Sequence, residues 1–270
     1  MICFPRLGDY GYLGNAMFQY SALLGIANKQ GYEVYYDPTK KGNMVTLHDE
    51  FNLSKYTSMP HHEQVHAIRK IWKEPNFHFN EEAFSVEDHT GLNGYFQSEK
   101  YFKHIEDDIR SEFKFSNGIE KECKSKLDQA HGDNKTVIGV HVRLGDYQAL
   151  EHVYVPLLKT PYYSSAIEYI NNNVDGEKTF VIFSDGMDVC KSVFRGDEFA
   201  FAEGGTAIQD MCLMSMCDHN IICNSSFSWW AAWLNVNKNK KVIAPTEWFV
   251  PNEKDPKDTK DLYCEDWIRL

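Results

Sequence analysis

Apolar residues along this chain follow two different patterns. In the second half they form short, nearly unbroken runs: Thr136-Val-Ile-Gly-Val-His-Val142, Thr179-Phe-Val-Ile-Phe183, His219-Asn-Ile-Ile-Cys223 and Lys241-Val-Ile-Ala244. Each run has the length of a strand buried on both faces. Between the runs the spacing is helical. Pro161 to Asn173 puts Ile167 and Ile170 on one side, Thr206 to Cys217 spaces Ile208, Met211, Cys212 and Met216, and Ser226 to Asn235 carries Trp229, Trp230, Trp233 and Leu234. Strand and helix in alternation predict a parallel, doubly wound α/β sheet, whose ligands sit at the carboxyl ends of the strands.

The first half is less regular. Met1 to Leu7 reads as a strand, Asn15 to Gln30 as a helix with Phe18, Ala22 and Ile26 on one face, and Glu33 to Tyr36 as the next strand. From Lys40 to Phe115 the pattern dissolves into short polar and aromatic-rich segments. Glu120 to Ala130 then predicts an exposed helix, and Gly132-Asp-Asn-Lys135 a turn-rich joint. A domain boundary placed there gives an amino-terminal half, 1–132, and a carboxyl-terminal half, 133–270. No repeat or low-complexity tract interrupts them, and a chain of 270 residues suits two such halves.

Charge narrows the candidate partners. Lys and Arg number 28 against 39 Asp and Glu, a net charge of −11, so the basic field that a nucleic-acid duplex requires is missing. Any phosphate site must draw on a few placed groups, because only Arg6, Arg69, Arg110, Arg143, Arg195 and Arg269 carry a guanidinium. The seven cysteines are odd in number, lack a CxxC pair and often lie in apolar stretches, which reads as buried free thiols in a reducing compartment. No window reaches the ~18 apolar residues of a membrane span, and the start lacks a signal-peptide pattern.

Four polar clusters carry candidate chemistry. Gly11-Tyr-Leu-Gly14-Asn15 follows a strand and opens a helix, where unpaired amides and the helix dipole favour an anion; a tight turn without a ligand fits the same residues. His141-Val-Arg143-Leu-Gly-Asp146-Tyr147 ends a strand, with His141 and Arg143 on the same side. Arg143 offers a permanently charged fork that matches a diphosphate, although an Arg–Asp structural pair fits too. Ser184-Asp185-Gly186 ends another strand. Asn224-Ser225-Ser226 ends a third, with Ser226 as the expected N-cap of a helix whose first amides face the same crevice. Asp210, on the intervening helix, could orient Arg143, or simply be solvated. Trp229 and Trp230 read as core rather than as a stacking platform. His61-His62-x-x-x-His66 reads as a solvated, irregular patch rather than a metal site, and the Lys/Asp-rich tail from Pro251 to Asp261 as a solvated loop.

Gly11-Tyr-Leu-Gly-Asn-Ala-Met-Phe-Gln-Tyr20, His141-Val-Arg-Leu-Gly-Asp-Tyr147, Phe183-Ser-Asp185, Asp210 and Asn224-Ser-Ser-Phe-Ser-Trp-Trp-Ala-Ala-Trp-Leu234, in that order, resemble the family 11 glycosyltransferases, the α-1,2-fucosyltransferases. The resemblance runs from residue 8 to about 245. It implies a GT-B-like fold, two Rossmann-like domains facing across a cleft, with an acceptor-side amino-terminal domain and a GDP-fucose-binding carboxyl-terminal domain. It further implies inverting, metal-independent transfer of fucose from GDP-fucose, with no other cofactor. Arg143 would bind the diphosphate, His141, Ser184, Asp185, Asn224 and Asp210 would lie near the nucleotide, and Ser225 and Ser226 would contact phosphate. Gly11, Gly14 and Asn15 would close over it. Tyr12, Ala16 and Gly186 depart from residues common in the family; an arginine at position 12 is missing as a phosphate partner, and Arg6 could stand in for it.

In that chemistry, stabilising the leaving diphosphate does most of the work, with Arg143 and helix amides where other glycosyltransferases use a metal. The acceptor hydroxyl needs a proton acceptor, for which Asp146 and Asp9 are the candidates. Galactose-terminated glycans are the acceptors the family implies; an α-1,3 linkage and another nucleotide sugar stay open. A carbohydrate-binding protein without turnover would also explain the aromatic residues, whereas a dinucleotide fingerprint for hydride transfer is missing. A family member without a membrane span is expected to act in the cytoplasm, or peripherally at the cytoplasmic face of a membrane.

Overall fold

The computed structural model describes residues 1–39, 46–132, 135–252 and 256–270. The chain divides into two compact units, Met1–Phe115 with Glu253–Cys264 and Ser116–Asn252 with Glu265–Leu270. That division falls one helix earlier than the joint at Gly132. The helix before the joint belongs to the second unit because it is not simply exposed: Cys123 on it is buried and its thiol donates to the Gln209 carbonyl at 3.4 Å. Residues 133–134 of the joint, 40–45 of the irregular segment and 253–255 of the charged tail lie outside the described residues.

In the first unit, β1 (Ile2–Cys3), β2 (Val34–Tyr36), β3 (Thr57–Ser58), β4 (Lys70–Lys73) and β5 (Thr90–Asn93) form a parallel sheet in the order β3-β2-β1-β5-β4. β1 is shorter than the pattern from Met1 to Leu7 implies: Pro5 has no N–H for a ladder, and the chain turns, with the Leu7 amide bonding the Phe4 carbonyl. α1 (Leu13–Gln30) is buried on nearly every side through Met17, Phe18, Tyr20 and Leu23, and it stops at Gly31 in the left-handed region. α2 (Leu47–Glu50), α3 (His61–Ala67) and α4 (Glu106–Glu112) complete the unit. His61, His62 and His66 therefore sit on a short helix rather than on irregular chain. Its mostly exposed face accounts for its polar composition.

The second unit opens with α5 (Asn117–His131) and continues through β6 (Thr136–Val142), α6 (Tyr162–Asn173), β7 (Lys178–Ser184), α7 (Met187–Val193), β8 (Phe199–Phe201), α8 (Ala207–Met216), β9 (His219–Ile221), α9 (Ser226–Leu234), β10 (Val242–Ala244) and β11 (Ile268–Arg269). All six strands are parallel, in the order β11-β10-β9-β6-β7-β8. The four apolar runs are the four inner strands, buried because helices cover both faces. The edge strands β8 and β11 escape the pattern because they are two or three residues long and only partly buried. Strand order reverses between β6 and β9. A doubly wound sheet binds its ligand at such a switch point, outside the strand carboxyl ends. Trp229 and Trp230 lie in the core with zero exposure, packed on one another, on Trp233 and on Trp267. Among the described residues no helix is long and apolar enough to cross a membrane.

Candidate active site

Arg143 is the first residue beyond β6, at the switch point. Its guanidinium is held by two carboxylates, Asp146 Oδ1 at 2.6 Å and Asp185 Oδ2 at 2.7 Å. Burial works against its charge, but Asp185 and Asp146 outweigh that cost and raise its pKa. Asp185 also accepts the Leu144 amide at 2.7 Å, which ties the end of β7 to the loop after β6. That loop needs Gly145, since a Cβ there would stand 2.3 Å from the Asp185 carboxylate. The Arg–Asp pairing that the sequence allowed is thus real. It fixes the plane of a charged fork at the carboxyl edge of the sheet.

His141 is the penultimate residue of β6 and is 6% exposed, with its ring against Phe227 at the start of α9. Burial, with Arg143 adding to it, pushes its pKa down to about 3, so the imidazole is neutral near pH 7. Ser225, rather than Ser226, caps α9: its Oγ accepts the Phe227 amide at 3.4 Å, and Ser226 is the first helical residue. Asn224 has a structural task, donating from Nδ2 to the carbonyls of Val155 and Trp248. The Ser184 hydroxyl accepts the Gly186 amide at 3.0 Å and shapes the turn that presents Asp185.

Asp210 lies in the first turn of α8, with Gly205 and Lys126 beside it, so orienting Arg143 falls to Asp185 and Asp146. Burial raises the Asp210 pKa to about 6, with Lys126 pulling the other way. Because this pKa lies above the ordinary value near 3.9, folding favours the protonated carboxyl and stability falls as pH rises through 6. Asp210→Asn is expected to be more stable than the parent above about pH 6 and to converge with it below about pH 4. Urea midpoints across that range check this, and a difference independent of pH would contradict it.

In the first unit, strand order reverses between β1 and β5, and the β1–α1 turn lies there. Gly11 has φ +73, and a Cβ on it would collide with the Asn15 amide. Gly14 and Asn15 belong to the first turn of α1, whose N-cap, Tyr12, offers no side-chain acceptor. Asn15 Oδ1 accepts from Gln97 Nε2 at 2.6 Å, and Gln19 bridges the Gly8 amide and the Gly94 carbonyl, so both strand ends are fastened to one helix. Arg6 lies over the Tyr10 ring and 3.5 Å from Asp9, which pairs that candidate base with a cation.

The family model for glycosyl transferase family 11 matches residues 8–270. The chain belongs to that family. Among its relatives, the α-1,2-colitosyltransferase of Escherichia coli is 32% identical over 96% of both chains. The human galactoside α-(1,2)-fucosyltransferase 1 is 29% identical over 83% of this chain and 63% of its own length. The fold is that of solved fucosyltransferases. NodZ from Bradyrhizobium superposes with a TM-score of 0.53 at 14% identity, covering 86% of this chain and 91% of that one. POFUT1 in complex with GDP-fucose does so with 0.53 at 12%, covering 88% and 95%.

Within this family 11 chain, three contributors at the switch point escaped the reading of the sequence. Tyr147 places its ring 5.6 Å from the Arg143 guanidinium and donates to the Asn224 carbonyl at 3.0 Å. Tyr154 stacks on it with centroids 4.1 Å apart. Tyr147 closes the polar motif that follows β6, and that position is its only signal in the sequence. Tyr154 sits in a loop with no periodicity, and Cys223 read as one more buried thiol. In the first unit, Glu74 follows β4 and accepts the amides of Tyr95 and Phe96, and burial raises its pKa to about 7. Phe96 has φ 53, a backbone state that these two amide bonds hold in place.

Proposed function

We propose that the chain transfers a 6-deoxyhexose, fucose or its 3-deoxy counterpart colitose, from the GDP-activated sugar to the 2-hydroxyl of a galactose-terminated glycan, with inversion and without a metal ion. The observation that carries this reading is Arg143, clamped by Asp146 and Asp185 at the β6–β9 switch point, beside the amino end of α9. Membership of family 11, the α-1,2 linkage in the names of two relatives and a GDP-fucose complex of a protein with the same fold support it.

In this mechanism the bond from the anomeric carbon to the β-phosphate oxygen breaks and its electron pair leaves with GDP. Arg143 and the first amides of α9 neutralise that oxygen as it gains charge. The acceptor oxygen bonds to the opposite face of the sugar. Its proton goes to a carboxylate, and Asp146 is the candidate this reading favours: it holds Arg143 through one oxygen, whereas Asp185 is also tied to the Leu144 amide. A diphosphate, carrying more charge, displaces Asp146 from the fork and frees it to act as base.

The test is GDP release by the purified chain, supplied with GDP-fucose or GDP-colitose and with β-galactosides, followed by NMR of the product linkage. The expected product is an α-1,2-linked galactoside, formed at the same rate with and without EDTA. Binding of glycan without GDP release would instead mark a carbohydrate-binding protein, and an EDTA-abolished rate would contradict the metal-independent route. The donor sugar is the finer question. The colitosyltransferase match spans 96% of both chains, which favours including the 3-deoxy donor.

A further inference from the structure

At the β6–β9 switch point, the sulfur of Cys223, two residues beyond β9, lies 3.1 Å from His141 Nδ1. Both residues are sealed from solvent over most of their surface, Cys223 at 1% and His141 at 6% exposure. Burial raises the thiol to about 12 and lowers the imidazole to about 3, so neither is charged and one proton lies between them. The surrounding bonds decide which atom owns it. The sulfur already accepts the backbone N–H of Arg143. The Ser228 hydroxyl, 3.7 Å from the sulfur, donates to the Ser225 carbonyl at 3.2 Å and is the more distant acceptor for the thiol. An imidazole nitrogen at 3.1 Å is both nearer and more basic than that hydroxyl. The thiol proton therefore belongs on the line to Nδ1, and the ring proton belongs on Nε2.

The other end of the ring has no such partner. His141 Nε2 makes no hydrogen bond among the described residues. It is also absent from the sealed, unpartnered side-chain atoms, which are Ser21 Oγ, His48 Nε2 and His78 Nδ1. The ring is 6% exposed and packs against Phe227 in the first turn of α9, and Nε2 is its one nitrogen without a partner among the described residues.

We propose that Cys223 is a positioning residue: its thiol fixes His141 as the Nε2–H tautomer, an uncharged donor presented to the diphosphate of the nucleotide sugar. This rests on the GDP-sugar reading above for the identity of the anion, but not for the tautomer. A neutral donor suits this place, because Arg143 already supplies the positive charge. A ring free to choose its tautomer would present Nε2 as an acceptor part of the time and repel a phosphate oxygen.

Long-range proton–nitrogen NMR on histidine-labelled protein, with His141→Asn to assign the signal, tests the tautomer without any ligand. The expected spectrum is a non-titrating Nε2–H imidazole from about pH 5.5 to 8.5. Cys223→Val, which keeps the volume but lacks the proton, should give a mixed or Nδ1–H signal, and Cys223→Ser should retain Nε2–H. GDP binding by calorimetry should weaken about 3- to 10-fold in Cys223→Val and about twofold or less in Cys223→Ser. An Nδ1–H signal in the parent, or an unchanged tautomer in Cys223→Val, would overturn the assignment. Should Cys223→Val fail to fold, the parent spectrum and the serine variant still decide it. If the tautomers behave as expected and the parent does not bind GDP, the nucleotide reading fails while the tautomer assignment stands. If GDP binds and the tautomer switch leaves its affinity unchanged, the positioning role is lost.

Discussion

Arg143→Ala should cut the rate of GDP release from the sugar nucleotide by about three orders of magnitude while leaving the far-UV spectrum and unfolding midpoint close to those of the parent. In the mechanism proposed above, the size follows from removing a preorganised charged donor from the atom that gains charge in the transition state. The fold is expected to survive because Arg143 lies beyond the last residue of β6 and its partners Asp146 and Asp185 are partly exposed, so water can solvate them once the guanidinium is gone. Arg143→Lys should recover little, since an ammonium cannot replace a planar fork. Asp146→Asn separates two roles for the neighbouring carboxylate. The amide oxygen can still accept from Arg143 but cannot take a proton at neutral pH, so a base predicts a loss of about 100-fold in kcat. An asparagine variant within twofold of the parent would remove Asp146 as the base and leave the Arg143 conclusion intact. An alanine variant at 143 with near-parental turnover would remove the mechanism altogether.

The second large effect is on stability. Trp230 is fully buried and meets Trp229 and Trp233 edge-on, with centroids 5.2 Å away in each case. Trp230→Ala leaves a cavity that the rigid α8–α9 layer cannot fill, and is expected to cost about 3–5 kcal/mol. The transition of the second unit should fall by roughly 10 °C in calorimetry. Activity should be lost well before that temperature, because Trp230 lies on α9, whose amino end is capped by Ser225 and carries the amides proposed to hold phosphate. Since the chain forms two units, hydrogen exchange resolved by residue is the cleaner measurement: protection should fall across α8, α9 and β9 and change little in α1. A uniform loss over both units would contradict a defect local to the second.

Most of the second unit was legible in the sequence because its inner strands are covered by helices on both faces. Burial on two sides demands a nearly unbroken apolar run, and the seven-residue strands β6 and β7 are built around Val137–Val140 and Phe180–Phe183. The first unit was not. β3, β4 and β5 are two to four residues long, Lys70–Lys73 is largely exposed, and Thr90–Asn93 contains a glycine and an asparagine. Strands that short carry no period, so hydrogen bonding to neighbours defines them and pattern does not. The joint was misleading for a related reason. Gly132 marks the end of a helix, and which unit owns a helix depends on what its apolar side meets, here α8 through Cys123.

At the candidate site, sequence alone determined the residue types, their order and the strand ends on which they sit. That was enough to single out Arg143, because a strand followed by a polar turn places its last side chains at the sheet's binding edge. Only the tertiary structure decided what each of them does. Asn224 spends its amide on two backbone carbonyls, Asp210 lies beside Lys126, Ser225 caps α9, and Cys223 meets His141 across 82 residues of chain. The reason is physical: a side chain's role is set by the donors and acceptors within about 3 Å of it. In a doubly wound sheet those neighbours come from strands adjacent in space and far apart in sequence.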